Sequence, residues 1–92
     1  MKVIEMEKIY LFANEACPYC QKVMATLKEK SIEFEFVEIP MDREQRPTTE
    51  WNGKTYAELF DDNITIPKMI IEENGEQTKI MSSDEMIDHF SK

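Results

Sequence analysis

The apolar residues of this chain fall into short blocks, and the spacing inside each block names an element. Residues 8–13, KIYLFA, form an apolar, aromatic run too short to be a helix by itself and read as a buried strand. In YCQKVMATLKEK the residues Cys20, Val23, Met24 and Leu27 recur at helical spacing, with lysine and glutamate on the other side. Pro18 suits the first turn of that helix, where a missing N–H costs nothing. Lys28 and Lys30 fall where the helix dipole favours cations. IEFEFVEI alternates Ile32, Phe34, Phe36 and Val37 against Glu33, Glu35 and Glu38, a strand with one wet face. Residues 40–54 are polar, hold two prolines and a glycine, and read as a long loop. TYAELFDD is a short helix turning Tyr56, Leu59 and Phe60 inward. KMIIEE and QTKIM are strands joined by the hairpin turn Asn74-Gly75. SSDEMIDHF closes the chain as a helix with Met86, Ile87 and Phe90 toward the core, and Ser82 with Glu85 fits a capping box.

The resulting order is β-α-β-α-β-β-α, an α/β domain with a four-stranded mixed sheet flanked by helices. Strand–helix–strand at the start implies a right-handed crossover and a parallel pair. The chain of 92 residues shows no internal repeat and reads as a single domain, 1–92. Its first residues contain no apolar stretch of secretory-leader length. None of its segments approaches the roughly 20 apolar residues of a membrane span. A cytoplasmic setting is therefore expected, in which thiols stay reduced. The net charge is −8, with 11 basic residues scattered among 19 acidic ones, so no basic patch is expected for nucleic acid or an anionic membrane. The acidity reads as a solubility feature.

The candidate chemistry lies in EACPYCQK, which holds both cysteines of the chain, Cys17 and Cys20. A redox dithiol, a structural disulfide and part of a metal site are the three readings. A two-residue gap closes a very small loop, which constrains the unfolded chain little. A structural zinc needs four ligands, and beyond this pair the chain offers a single histidine, His89, in the last helix. Met24, Met69, Met81 and Met86 are spread over helices and strands and read as core fillers. The redox reading is favoured. Cys17 directly precedes a helix, whose free N–H groups and dipole stabilise an anion, and Cys20 lies one turn inside. Cys17 as attacking thiolate and Cys20 as resolving thiol make a dithiol enzyme.

Cys17-Pro18-Tyr19-Cys20 followed by Lys22, with Thr65-Ile66-Pro67 ahead of a β-hairpin, resembles the dithiol glutaredoxins of the thioredoxin superfamily over residues 8–90. The resemblance implies a thioredoxin-like fold, a single glutaredoxin-like domain and a cis bond before Pro67. It implies that Cys17 and Cys20 are catalytic. Glutathione would be a co-substrate, bound along Tyr19, Thr65, Ile66 and Pro67, with Ser83 and Asp84 at its γ-glutamyl end. No tightly bound cofactor and no metal are implied. The partners would be glutathione and disulfide-containing or glutathionylated proteins, and the chain would be a monomer.

Asn14 stands where many glutaredoxins carry a lysine or arginine, and reads as a groove-rim position without its cation. Met81-Ser82 replaces the family's Gly-Gly, and the ending KIMSSDEMIDHF is also similar to the N-terminal domain of glutathione transferases. Two further readings stay open. One is a redoxin of the same fold recycled by thioredoxin reductase, donating electrons to a reductase. The other is a non-catalytic module holding glutathione or an iron–sulfur cluster, against which Pro18 speaks.

Overall fold

The computed structural model describes residues 8–90. Strand β1 (Lys8–Ala13) leads into helix α1 (Pro18–Glu29), which returns the chain to strand β2 (Glu35–Glu38). Strands β1 and β2 are parallel, as the crossover requires. The chain then passes a single 3-10 turn (Arg43–Gln45), two short strands β3 (Glu50–Trp51) and β4 (Lys54–Thr55), and the one-turn helix α2 (Tyr56–Leu59). Strands β5 (Lys68–Glu73) and β6 (Glu76–Ile80) form a hairpin, and helix α3 (Ser83–Phe90) follows. The main sheet has the order β2-β1-β5-β6, with β1–β5 and β5–β6 antiparallel. This is the four-stranded mixed sheet expected from the sequence.

Both faces of β1 are covered, which is why its residues are apolar without alternation. On one face Ile9, Leu11 and Ala13 pack with Cys20, Val23 and Leu27 of α1, Met69 and Ile71 of β5, and Met86 of α3. On the other face Phe12 and Ile70 pack with Ile39 and with Tyr56, Leu59 and Phe60 around α2. Aromatic rings dominate this second core. Phe12 meets Trp51 and Phe60 edge to face at centroid distances of 5.0 and 5.4 Å.

The long polar loop expected over residues 40–54 is more ordered than that. Trp51 pairs with Lys54 across Asn52-Gly53, whose φ angles are +55° and +85°. Asn74-Gly75 adopts nearly the same pair, +53° and +85°. Both turns need left-handed backbone at two successive positions, which asparagine and glycine accept. The first turn was missed because only two residues flank it on each side and they do not alternate. Helix α2 is a single turn, shorter than TYAELFDD, because Asp61 and Asp62 take positive φ of 52° and 67°. Strand β2 is also shorter than IEFEFVEI. Ile32 and Phe34 pack against the α1 core, but Phe36 is 38% exposed on the sheet edge, and Ile39 beyond the strand is fully buried.

The capping box expected at Ser82 and Glu85 is present in one half: Ser82 Oγ accepts from the Glu85 N–H at 3.2 Å. The complete box lies at α2, where Thr55 Oγ1 accepts from the Glu58 N–H at 3.2 Å and Glu58 accepts from the Thr55 N–H at 2.9 Å. That second bond holds the Glu58 carboxyl below its ordinary range. Thr55→Ala should lower the unfolding free energy by about 1 kcal/mol, read from urea denaturation at neutral pH. Glu58 titrates lower in the folded state than in the unfolded one. Its contribution is therefore present above the ordinary carboxylate range and is lost as pH falls through the lowered value. The gap between wild type and Glu58→Ala should narrow in acid.

Candidate functional site

Antiparallel pairing fixes where the site forms. Strand β1 ends at Ala13, and β5 begins at Lys68, which lies opposite Phe12. Strand β6 ends at Ile80, opposite Met69. The segments after β1, before β5 and after β6 therefore meet at one end of the sheet. They carry Cys17 and Cys20, Thr65-Ile66-Pro67, and Met81-Ser82-Ser83.

Asn14 shapes the first segment. Its Nδ2 donates to the Ile39 carbonyl at 2.9 Å, its Oδ1 accepts from the Ala16 N–H at 2.9 Å, and its backbone carbonyl accepts from the Cys17 N–H at 3.0 Å. Asparagine thus closes the turn that presents Cys17 and pins it to the end of β2. The reading of Asn14 as a rim position lacking a cation is corrected: its side chain is used internally, and a lysine there would forfeit both bonds. Cys17 is the N-cap residue of α1 and Pro18 opens the helix. Cys17 is 6% exposed and Cys20 is wholly buried, both as free thiols. Cys17 is therefore less open than a thiol expected to lead the attack, yet it is the accessible one of the two. Burial pushes the Cys20 thiol up to about 12, the Cys17 sulfur adds to this, and the Asn14 backbone N–H and the Arg46 charge oppose it.

The Ile66–Pro67 peptide is cis. Ile66 packs against both cores, including the one that contains Cys17 and Cys20. Among the described residues its backbone N–H and carbonyl form no hydrogen bond. The peptide before it is held firmly: the Thr65 carbonyl accepts from Tyr56 OH at 2.8 Å and from Lys68 Nζ at 2.7 Å.

Tyr19, Thr65, Ile66, Pro67 and Ser83 line one cavity of about 180 Å³, together with Met81 and Ser82. Tyr19 is 63% exposed, so its ring forms a wall and not core. Asp84 is exposed and does not line this cavity. Neither Cys17 nor Cys20 lines this cavity, which opens beside Tyr19 of the Cys17–Cys20 segment. A larger groove, of about 570 Å³, runs beside α1 and the β2 edge, but it has neither a thiol nor any residue of the 65–67 and 81–83 segments. The smaller cavity is the candidate site. His89 is exposed, and no group of three or more potential metal ligands occurs among the described residues.

Reading the sequence missed Arg46, Asn63 and Lys68, which lie behind the 65–67 loop. Lys68 had a signal: in KMIIEE it shares strand parity with the apolar Ile70 and so points at a core. Arg46, in a polar stretch, had none.

Residues 11–92 match the family model of the glutathione S-transferase N-terminal domain, and the chain belongs to that family. Its fold is thioredoxin-like. Over 65 residues it is 36% identical to glutaredoxin-1 of Rhizophagus irregularis, a match that covers 71% of this chain and 64% of that protein. A trimeric glutathione transferase of Leishmania superposes with a TM-score of 0.71 at 20% identity, over 88% of this chain and 16% of that one. A glutathione transferase homologue from Drosophila mojavensis, solved with bound glutathione, gives 0.69 at 18% identity, over 91% and 34%. The chain thus spans under two thirds of the curated relative and a smaller part of these solved chains. Both resemblances drawn from the sequence are met, and the transferase likeness, noted there only for the last segment, extends over nearly the whole chain.

At limiting iodoacetamide and near-neutral pH, Cys17 should be alkylated before Cys20, because Cys20 is buried and held protonated. Peptide mass spectrometry reads the order, and Cys20 labelled first would reverse the assignment of the two thiols. Asn14→Ala should cost about 1–3 kcal/mol of stability, since it leaves the Ile39 carbonyl and the Ala16 N–H without their partner. A denaturation midpoint equal to wild type would show that the turn does not depend on it.

Proposed function

We propose that this protein is a glutathione-dependent thiol–disulfide oxidoreductase acting through Cys17 and Cys20. The observation that carries the reading is one convergence: a thiol at the helix N-terminus that is the less buried of the two, a wholly buried protonated thiol and an unpaired stretch of backbone at one end of the sheet. Ile66 offers an N–H and a carbonyl to an extended peptide in the manner of strand addition. Glutathione, bound in the relative from Drosophila mojavensis, is such a peptide. Tyr19, Thr65 and Pro67 border it, and the start of α3 at Ser83 presents backbone N–H groups suited to a carboxylate. Asp84 is assigned to the substrate's ammonium from outside the cavity.

The Cys17 thiolate attacks the glutathione sulfur of a mixed disulfide. The S–S bond breaks, and the released protein thiolate takes up a proton. Cys20 then loses its proton, attacks the Cys17 sulfur and expels glutathione, leaving a Cys17–Cys20 disulfide. Two glutathione molecules reduce that disulfide and leave as glutathione disulfide. With protein disulfides Cys17 forms the mixed disulfide with the substrate, and Cys20 resolves it. The partners are glutathione and disulfide-bearing or glutathionylated proteins, the compartment is the cytoplasm, and the working unit is the monomer.

Cys20→Ser separates the two half-reactions. Turnover of a glutathione mixed disulfide should be largely retained, because a second glutathione can attack the Cys17 adduct, while reduction of a protein disulfide should fall sharply. Equal survival of both activities would show that two thiols are not used. Conjugation of an electrophile to glutathione that survives Cys17→Ser would replace this reading with a transferase. Recycling by thioredoxin reductase in place of glutathione would replace its reductant.

A further inference from the structure

Behind the 65–67 loop lie two buried cations, Lys68 and Arg46, in a chain of net charge −8. Among the described residues neither meets a carboxylate, and both are spent on neutral oxygens. Arg46 donates to the carbonyls of Pro40, Met41 and Ile64, which ties the loop after β2 to the segment before Pro67. Lys68 Nζ donates to the Thr65 carbonyl at 2.7 Å, to Asn63 Oδ1 at 3.1 Å and to Thr65 Oγ1. An ammonium has three N–H donors, and all three are placed.

We propose that Lys68 is a positioning residue for substrate binding: its ammonium, shared among Asn63 Oδ1, Thr65 O and Thr65 Oγ1, holds the Thr65–Ile66 peptide plane in the orientation on which an incoming disulfide-bearing peptide pairs. This role rests on the oxidoreductase reading for its substrate, but not for its geometry. The argument is one of donor count. Burying a cation is costly, and a neutral long side chain would fill the same space without that cost. Only the charged amine serves three acceptors at once. A neutral amine has two N–H groups and a lone pair, so one of the three acceptors loses the Lys68 donor and faces a lone pair instead, while Asn63 Oδ1 keeps the Thr65 N–H and hydroxyl. Tyr56 OH would remain on the Thr65 carbonyl, but it has one proton and cannot reach across the network.

The groups facing Lys68 make the ammonium easy to lose. Arg46 faces it from the loop and Tyr56 from α2; Lys79 of β6 lies across the Phe60 ring, and β1 presents Phe12. None of them is an anion near neutral pH. Burial, and then the Arg46 charge, bring Lys68 down from 10.5 to about 8. Between these values the unfolded chain keeps the proton and the folded chain has released it, so this group makes stability rise with pH. Substrate binding should move the other way, since the loop loses one of its ties over the same interval while Tyr56 and Asn63 keep theirs. A side chain with a packing role alone would not separate the two trends.

Nuclear magnetic resonance on the full chain carrying Cys17→Ser and Cys20→Ser, in which no thiol titrates, tests the geometry. The Lys68 Cε signal and the Thr65 and Ile66 amides should shift together with a midpoint near 8. Amides that stay still while Lys68 titrates, or a Lys68 that keeps its ordinary value, would overturn the role. Kinetics with a peptide–glutathione mixed disulfide test the consequence in the protein with both cysteines. Above pH 8 its KM should rise several-fold, with the rise following the Lys68 midpoint. Lys68→Met, which removes all three bonds, should raise KM by roughly ten-fold or more at neutral pH and remove the pH dependence of KM. Lys68→Arg should recover part of the affinity. An unchanged KM in Lys68→Met would refute the positioning role. A wild-type protein without any mixed-disulfide turnover would overturn the oxidoreductase reading, and the resonance shifts, which need no change at position 68, would then decide the loop-fixing role alone.

Discussion

Antiparallel pairing of β1 with β5, in the register that sets Phe12 opposite Lys68, decides which segments of the chain meet. Cysteines far from Thr65-Ile66-Pro67 in sequence reach it because one strand ends where the other begins. The register is protected by the two cores. Leu11 and Met69 face α1 and α3, while Phe12 and Ile70 face α2 and its aromatic rings. A slip by one residue would exchange these sets and drive bulky rings into space shaped for aliphatic side chains. The same pairing lets Lys68 be both the first residue of a central strand and a prop beneath the loop preceding it.

Polar groups at this end of the sheet are satisfied by backbone carbonyls and amides more than by opposite charges. Asn14 bridges the Cys17 turn to Ile39, Arg46 gathers three carbonyls, and Tyr56 and Lys68 share the Thr65 carbonyl. No buried side-chain nitrogen or oxygen is left without a partner among the described residues. A carboxylate in this pocket would have to be stripped of water as well, which often costs more than the ion pair returns. Carbonyl acceptors avoid that second desolvation, and they leave the Arg46 field uncancelled: it opposes the rise of the Cys20 thiol and adds to the burial that lowers Lys68.

What could be read from the sequence was what repeats. Period and length were enough to find β1, α1, the β5–β6 hairpin and α3, because each spans several turns or alternations. The two motifs put Tyr19 with Thr65, Ile66 and Pro67, and the resemblance at the last helix added Ser83; these five residues line one cavity. Short elements escaped. β3 and β4 are two residues each, held less by their own pattern than by Trp51 docking on Tyr10 and Phe12. Asn14 was misread because its identity suggested a missing charge, whereas its two-sided amide is what the turn uses. Asp84 was placed by the resemblance at the start of the last helix, and it stands exposed, outside the lining of the cavity that Ser83 borders. Arg46 sits in a stretch with no periodicity, and its burial follows from where the loop lies against Ile64.

Trp51 is the chain's one tryptophan, and it stands edge-on to Tyr10 at 4.9 Å and to Phe12 at 5.0 Å. Its indole emission therefore reports a single place, the seating of the β3–β4 ribbon on the α2 side of the sheet. The helices α1 and α3, on the opposite face, are silent in that signal and are read instead by far-ultraviolet circular dichroism, to which they contribute most of the helix. The molecule thus carries separate optical markers for its two cores. Coincidence of the two signals during unfolding measures how tightly β1, the wall they share, couples the thiol-bearing half to the half that holds Arg46 and Lys68.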